Sequence, residues 1–406
     1  MNNFNPIKIT PQMFKLKHHQ TTLKDLPRPF ISASSDYFYN LQFYWDSYFI
    51  ILGLIQEDTN AVKLAKGMIE NFKYLFSKYG YIPNSYPRDD TRTQPPLLTS
   101  MILLVYKKIP NKQWLKKMYH FAKQEYKQVW LKEPRFITEI QLSRYHGSSH
   151  LHVEHQNAEN ESGWDFTPRF EEQCANCIAL DLNSLLYKYE EDLENIAHSL
   201  NLKEDMNYFI QQKDHRKKLI NSYLYNSQDG LFYDYNFKQK RQLQTKTLAT
   251  FFPLFAKLAT QTQAQHVVKQ LDLFEHKYGL VTCHTNYGFH TKQWNYPNGW
   301  APLQYIAIQG LRNYGFNKEA NRLSLKWLTL VSKRYHETQG HWEEKYVVVD
   351  EKILQEKYLK RIDDLRYEHQ NELYWSQGVF IALYRELEKE IKTKKNKTSN
   401  NKKITK

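Results

Sequence analysis

Residues 159–170 bring together the side chains best suited to chemistry: Glu159-Asn160-Glu161-Ser162-Gly163-Trp164-Asp165-Phe166-Thr167-Pro168-Arg169-Phe170. An acidic cluster runs into Gly-Trp-Asp, and an arginine follows. Three other stretches repeat the mixture of tryptophan, amide or carboxylate, and tight-turn residues: Tyr44-Trp45-Asp46-Ser47-Tyr48, Gln293-Trp294-Asn295-Tyr296-Pro297-Asn298-Gly299-Trp300, and Trp342-Glu343-Glu344-Lys345-Tyr346. A sugar site needs that mixture. Aromatic faces cover the C–H faces of a pyranose, fixed polar groups hold its hydroxyls, and two carboxyl groups break the glycosidic bond.

Each residue also has a plainer reading. Asp165 could be a helix N-cap with Phe166–Phe170 as the first turn. Trp45 could be core. Arg92 could pair with Asp89 or Asp90 in its loop. His146, His150, His152, Glu154 and His155 fall within ten residues, but they lack the fixed spacing of a zinc site, so no metal is expected. Cys174, Cys177 and Cys283 are too few and too uneven for a disulfide framework; buried helical thiols are expected instead.

The elements that must position these residues read as helices. Apolar residues recur at helical spacing in Phe43–Ile55, Ala61–Phe76, Leu97–Tyr106 and Trp114–Trp130. The same spacing recurs in Glu171–Tyr189, Leu193–Leu200, Lys203–Tyr225, Leu248–Leu258 and Gln261–Leu271. Trp300–Tyr314, Lys318–Tyr335 and Trp375–Glu390 complete the set. Residues 1–40 read as an irregular arm and 134–168 as a long loop of the kind that is usually functional. Long strands are missing. About a dozen helices in pairs, with the interesting residues at helix starts and loops, suit an all-α toroid with its site at one end. Periodicity alone does not separate a closed toroid from an open solenoid.

Composition narrows the class. The 406 residues are 41% hydrophobic and 15% aromatic, with thirty Tyr and nine Trp, enough for a large core. Seven of the lysines behind the +14 charge lie in Ile391–Lys406, a polar run expected to be disordered. The folded body, 41–390, is then one mildly basic domain, without zinc-finger spacing or a basic recognition helix, so no nucleic-acid partner is expected. No stretch approaches about twenty apolar residues, and no charged n-region leads an apolar one. The expectation is a cytoplasmic protein with no membrane partner, and a monomer.

Taken together, these stretches resemble the trehalase family of glycoside hydrolases, family 37, from about residue 44 to 380. The resemblance rests on Tyr44–Phe49 with Leu52-Gly53-Leu54, Ile82-Pro83-Asn84, Arg92-Thr93-Gln94-Pro95-Pro96 and Glu161–Phe166. It continues, in the family's order, through Asp181-Leu182-Asn183, Gln293–Pro302, Glu344-Lys345-Tyr346 and Trp375–Val379. It implies an (α/α)6 barrel, no cofactor, and inverting hydrolysis of trehalose to two glucoses, with Asp165 as general acid and Glu344 as general base. Trp45, Asp46, Asn84, Arg92, Arg144, Glu161, Trp164, Arg169, Gln293, Trp294 and Trp300 are the residues expected to hold the sugar. The acid needs a raised pKa; Glu161 and Trp164 would push it up and Arg169 down.

The sequence departs from the family pattern in places. Phe38 stands where its arginine would be, and Asn295 replaces an aspartate. Lys360–Arg366 stands in place of a Gly-rich lid, with Arg366 at the glutamate position before Tyr367. A second Glu-Lys-Tyr begins at Glu356, but the apolar Val347-Val348-Val349 favours Glu344. These departures keep open hydrolysis of another small α-glycoside, such as glucosylglycerate or mannosylglycerate. A catalytically inactive sugar-binding or regulatory protein is the reading from another class.

Overall fold

The computed structural model describes residues 7–87, 92–147, 153–288, 292–350, 352 and 372–404, with 394–404 by their backbone alone. Its helices are α1 (Tyr44–Leu54), α2 (Thr59–Tyr79), α3 (Leu98–Lys108), α4 (Lys112–Glu125), α5 (Glu154–Glu161) and α6 (Leu180–Ser199). They continue with α7 (Lys203–Tyr223), α8 (Phe252–Phe255), α9 (Gln261–Lys269), α10 (Ala301–Asn313), α11 (Asn317–Glu337) and α12 (Tyr374–Ile404). Every strand among the described residues is two residues long.

The hydrophobic pattern sorts the helices into two layers. All eleven residues of α1 are buried, as an inner helix requires. Helix α2 is amphipathic and buries one face through Ala61, Leu64, Ala65, Met68 and Phe72. Asp58 caps its start by accepting from the N–H groups of Asn60 and Ala61 at 3.0 Å. Gly80 ends it in the left-handed conformation, φ 77°.

Contacts between elements close the inner layer into a ring. Helices α1, α3, α6, α8, α10 and α12 each touch the next, and α12 touches α1. Outside them, α2 covers α1 and α3, α4 covers α3 and α6, α7 lies on α6, and α11 lies on α10 and α12. Over the joint between α12 and α1 sit the 3-10 turns Pro11–Phe14 and Leu16–His19. The described part of the arm belongs to the outer layer, with Met13 and Leu16 fully buried.

Two glycines let the ring close. A Cβ on Gly378 of α12 would lie 2.1 Å from the Phe49 carbonyl oxygen, and one on Gly53 of α1 would lie 2.8 Å from Gly378 Cα. At Gly378 every near atom is backbone, so no side chain can yield. Gly378→Ala should lower stability by about 1–3 kcal/mol or more, the usual cost of overpacking, read as a drop in the urea midpoint. An unchanged midpoint would show that the joint is looser than drawn.

Some local expectations change. The stretch 134–168 contains a short hairpin, Phe136-Ile137 with Leu142-Ser143, and helix α5. Glu171–Tyr189 is not one helix: a 3-10 turn (Cys174–Asn176) and a strand (Cys177–Ile178) precede α6, which then runs unbroken through Leu193. Cys177-Ile178 pairs with Tyr235-Asn236, and that pairing overrides local propensity. The three thiols are buried; Cys174 opens the 3-10 turn, Cys177 lies in the strand and Cys283 forms an isolated bridge with Thr247. Leu248–Leu258 splits into a 3-10 turn and the short α8, where Pro253 fits a first turn. Helix α12 continues past Glu390 to Ile404, through the run expected to be disordered. Lys and Glu are good helix formers, and the Lys392–Glu388 pair, 3.1 Å apart, supports the extension.

Candidate active site

At one end of the ring, the starts of inner helices and the loops leading into them surround a cavity. Trp45 and Asp46 open α1, Gln94 precedes α3, and Gln293, Trp294 and Trp300 lead into α10. Glu344 and Leu373 lie before α12, and Trp375 is in its first turn. Phe38, Phe43, Gly163 and Asp165 complete the lining.

A tryptophan stack forms one body of the site. Trp164 stacks on Trp294 at 5.3 Å, and Trp294 on Trp300 at 3.8 Å with planes 3° apart. Trp375 meets both Trp294 and Trp300 edge-on. The Arg169 guanidinium lies 4.6 Å from the Trp164 ring and Lys345 Nζ 5.5 Å from Trp300, so a cation adjoins each end ring. Gly163 (φ 73°) lies against Trp45: a Cβ there would be 2.8 Å from the indole.

The Asp165 loop is held by its neighbours. The Trp164 N–H donates to Ser162 Oγ at 3.1 Å, and the Thr167 N–H to Glu159 Oε1 at 3.0 Å. The Trp294 N–H donates to the Phe166 carbonyl at 3.4 Å, tying the loop to the stack. Asp165 is half-buried, with Oδ1 shut off from solvent. No helix starts at Asp165, which removes its reading as an N-cap.

Glu344 arrives from the other side. Tyr346-Val347 pairs antiparallel with Asn298-Gly299, and Val348 and Val349 are buried, the apolar anchor expected from the sequence. Its side chain is 13% exposed. Lys345 Nζ, itself only 2% exposed, donates to Glu344 Oε2 at 3.2 Å and to Gln293 Oε1 at 3.0 Å. Burial pushes the Glu344 pKa up, and Lys345 draws it back. Lys345→Met should therefore shift the acidic limb of the pH–rate profile upward and lower activity at neutral pH roughly tenfold. A profile that falls uniformly without moving would show that Lys345 only packs.

Asp46 is buried in the first turn of α1, and its pKa is pushed up to about 8. Burial is the main cause; its own backbone N–H opposes it, and the charges of Asp165 and Glu344 add to it. The unfolded value is about 3.9. Between these values the folded chain keeps a proton that the unfolded chain has released. This raised pKa therefore stabilises below about pH 4, and that contribution is lost as pH rises to about 8, by up to ~1.4 kcal/mol per pH unit. Asp46→Asn should match the wild type near pH 4 and exceed it in urea midpoint at pH 8.5. A constant difference across pH would refute the assignment.

Several residues expected to hold the sugar lie outside the cavity lining and bond other groups. Arg169 is fully buried and bonds Asp234 through two nitrogens at 2.8 and 2.7 Å and Asp181 at 2.8 Å. Glu161 is fully buried and bidentate with Arg135, at 2.7 and 2.6 Å. It also accepts from the N–H groups of Thr93, His146 and Gly147 at 3.3 Å. Arg135 and these N–H groups outweigh burial and lower its pKa. Both charges are thus met by partners within the frame.

Arg144 bonds the carbonyls of Pro134 and Ala175 and the Glu154 carboxylate. Asn84 and Arg92 join through the Asn84 N–H and the Arg92 carbonyl at 2.9 Å, and neither lines the cavity. Trp164 is buried behind Trp294. Of the expected sugar-binding residues, the cavity gathers Trp45, Asp46, Gln293, Trp294 and Trp300, together with Asp165 and Glu344. Sequence reasoning missed Phe38, Phe43, Gln94, Leu373 and Trp375 as lining and Lys345 as the partner of Glu344. Adjacency to Glu344 and Gln293 pairing were not both legible, though Gln94 and Trp375 stand within recognised motifs.

His146 faces Glu154 at 3.6 Å, and His155 Nδ1 accepts the Ala175 N–H. No group of three potential metal ligands is gathered among the described residues. His150, His152, Asp89, Asp90, Glu356, Lys360–Arg366 and Tyr367 lie outside the described residues. No described helix is long and apolar enough to cross a membrane.

Comparison with known proteins gives the same picture. The trehalase family model matches residues 8–165 and 155–388. A probable trehalase of Saccharomyces cerevisiae is 34% identical over 380 residues, covering 76% of this chain and 48% of its own. The cytosolic neutral trehalase of the same yeast is 33% identical, covering 76% and 50%. The chain spans about half the length of the curated relatives it matches. Among solved structures, the neutral trehalase of Saccharomyces cerevisiae superposes with a TM-score of 0.75 at 28% identity, over 90% of this chain and 76% of that one. A mannosylglycerate hydrolase from Thermus thermophilus superposes at 0.68 with 17% identity, over 91% and 97%, a likeness of fold alone. The closed ring of six inner helices is thus the (α/α)6 barrel expected from the sequence, and the chain belongs to the trehalase family.

Proposed function

We propose that this protein is an inverting glycoside hydrolase that splits α,α-trehalose into two glucose molecules. The observation that carries the proposal is the lining of one tryptophan-stacked cavity by Asp165, Glu344 and Asp46, in a chain whose relatives are named trehalases. Asp165 donates its proton to the glycosidic oxygen as the C1–O bond breaks. Water attacks the anomeric carbon from the opposite face and gives its proton to Glu344. One water is consumed, and exchange with solvent returns the two carboxyls to their starting states.

Asp46, Gln94 and Gln293 hold hydroxyls, and Trp45, Trp300 and Trp375 face the ring. Lys345 keeps Glu344 and Gln293 in register. The chemistry calls for no cofactor. Residues 41–390 act as one catalytic domain, and the protein works as a cytoplasmic monomer, in keeping with relatives named cytosolic; sedimentation tests the monomer.

Proton NMR of early trehalose hydrolysis tests the mechanism. Inversion releases equal α- and β-glucose, because one half keeps its anomer and the other is inverted. Only α-glucose at early times would mean retention. No glucose from trehalose, with turnover of glucosylglycerate or mannosylglycerate, would move the assignment to that class of substrate. The absence of any turnover would favour an inactive sugar-binding protein.

A further inference from the structure

The cavity has a wall that the proposed mechanism does not use. Phe38 and Phe43 line it with Leu373, and the two rings meet edge-on at 5.2 Å. Phe38 is half-buried, so part of its ring remains open. Its backbone is pinned. The N–H donates to Ser34 Oγ at 2.9 Å, and the carbonyl accepts from Ser32 Oγ at 2.9 Å and from the Leu41 N–H at 3.2 Å. Ser32 is 2% exposed and Ser34 fully buried, so the loop holding Phe38 is anchored inside the protein. A ring held this way binds with little loss of conformational freedom.

Charge points in the same direction. The cavity lining includes three carboxyl groups, and none of its described residues is Arg or Lys. Lys345 is nearby but engaged with Glu344 and Gln293. Among the described residues, an anionic group bound here would meet the Glu344 carboxylate and find no cation in the lining.

We propose that Phe38 and Phe43 form an aglycone-binding wall. It takes a neutral aglycone by its apolar face, either the C–H face of a second sugar or an aryl ring, and it discriminates against an anionic one. This rests on the reading of the cavity as an α-glucoside site, and it makes Phe38 a specificity-determining residue.

The test is binding, read by tryptophan fluorescence, of phenyl, methyl and 4-carboxyphenyl α-D-glucosides to the full-length protein. The phenyl glucoside should bind at least about fivefold more tightly than either of the others. Phe38→Ala should bring the phenyl-to-methyl ratio below that threshold. If that variant fails to fold by circular dichroism, Phe38→Leu, which keeps an apolar side chain without the ring, is read the same way. A wild-type ratio below fivefold, or one that survives loss of the Phe38 ring, overturns the proposal. Trehalose turnover is measured on the same samples. Phenyl preference without turnover would overturn the hydrolase reading and leave the wall standing, whereas turnover without phenyl preference would overturn the wall alone.

Discussion

Asp165→Asn should lower kcat on trehalose by about 10²–10⁴-fold with the fold intact, and Glu344→Gln should do the same. Each replacement keeps the size of the side chain and removes its ability to give or take a proton. The loop bonds from Ser162, Glu159 and Trp294 do not involve the Asp165 carboxyl, so its position should survive the change. The two losses can be told apart with α-glucosyl fluoride, whose leaving group needs no proton. On that substrate Asp165→Asn should recover most of its rate, and Glu344→Gln should not. Equal losses on both substrates would remove Asp165 from the acid's role. Full activity of Glu344→Gln would turn attention to Glu356.

The second large effect concerns stability. Arg169 is fully buried between Asp181 and Asp234. Removing one partner of a buried ionic set leaves charge with no solvent and no counterion, at a cost of about 3–5 kcal/mol. Arg169→Met should lower the unfolding free energy by about that amount. Burial already pushes the Asp234 carboxyl up, and Arg169 restrains it. Without the arginine, the folded-state pKa of Asp234 rises further above its unfolded value. The loss should therefore be larger at pH 8 than at pH 5. A variant of normal stability with a raised KM would instead restore Arg169 to the sugar.

These two effects show where reading the sequence succeeds and where it stops. Helical spacing marked most helices to within a few residues, because each buries a stripe that recurs every three to four positions. That Asp165, Glu344, Trp45, Asp46, Gln293, Trp294 and Trp300 share one cavity lining was legible because they sit in short runs rich in tryptophan, carboxyl and amide groups. The fate of the charged residues was not legible. An arginine beside the Asp165 loop looks the same whether it binds a sugar or a carboxylate 65 positions away, as Arg169 binds Asp234. The same holds for Glu161, whose partner Arg135 lies 26 positions back.

By itself, then, the sequence determined an all-helical chain, the order of its motifs and the residue types of the site, since these depend on local spacing and side-chain chemistry. Helical spacing left closure open and the resemblance implied it; only the tertiary structure decided where the ring closes, at Gly53 and Gly378, and which polar groups face the cavity. Closure and ion pairing depend on which distant backbones and charges come within a few ångströms, and no local pattern encodes that distance.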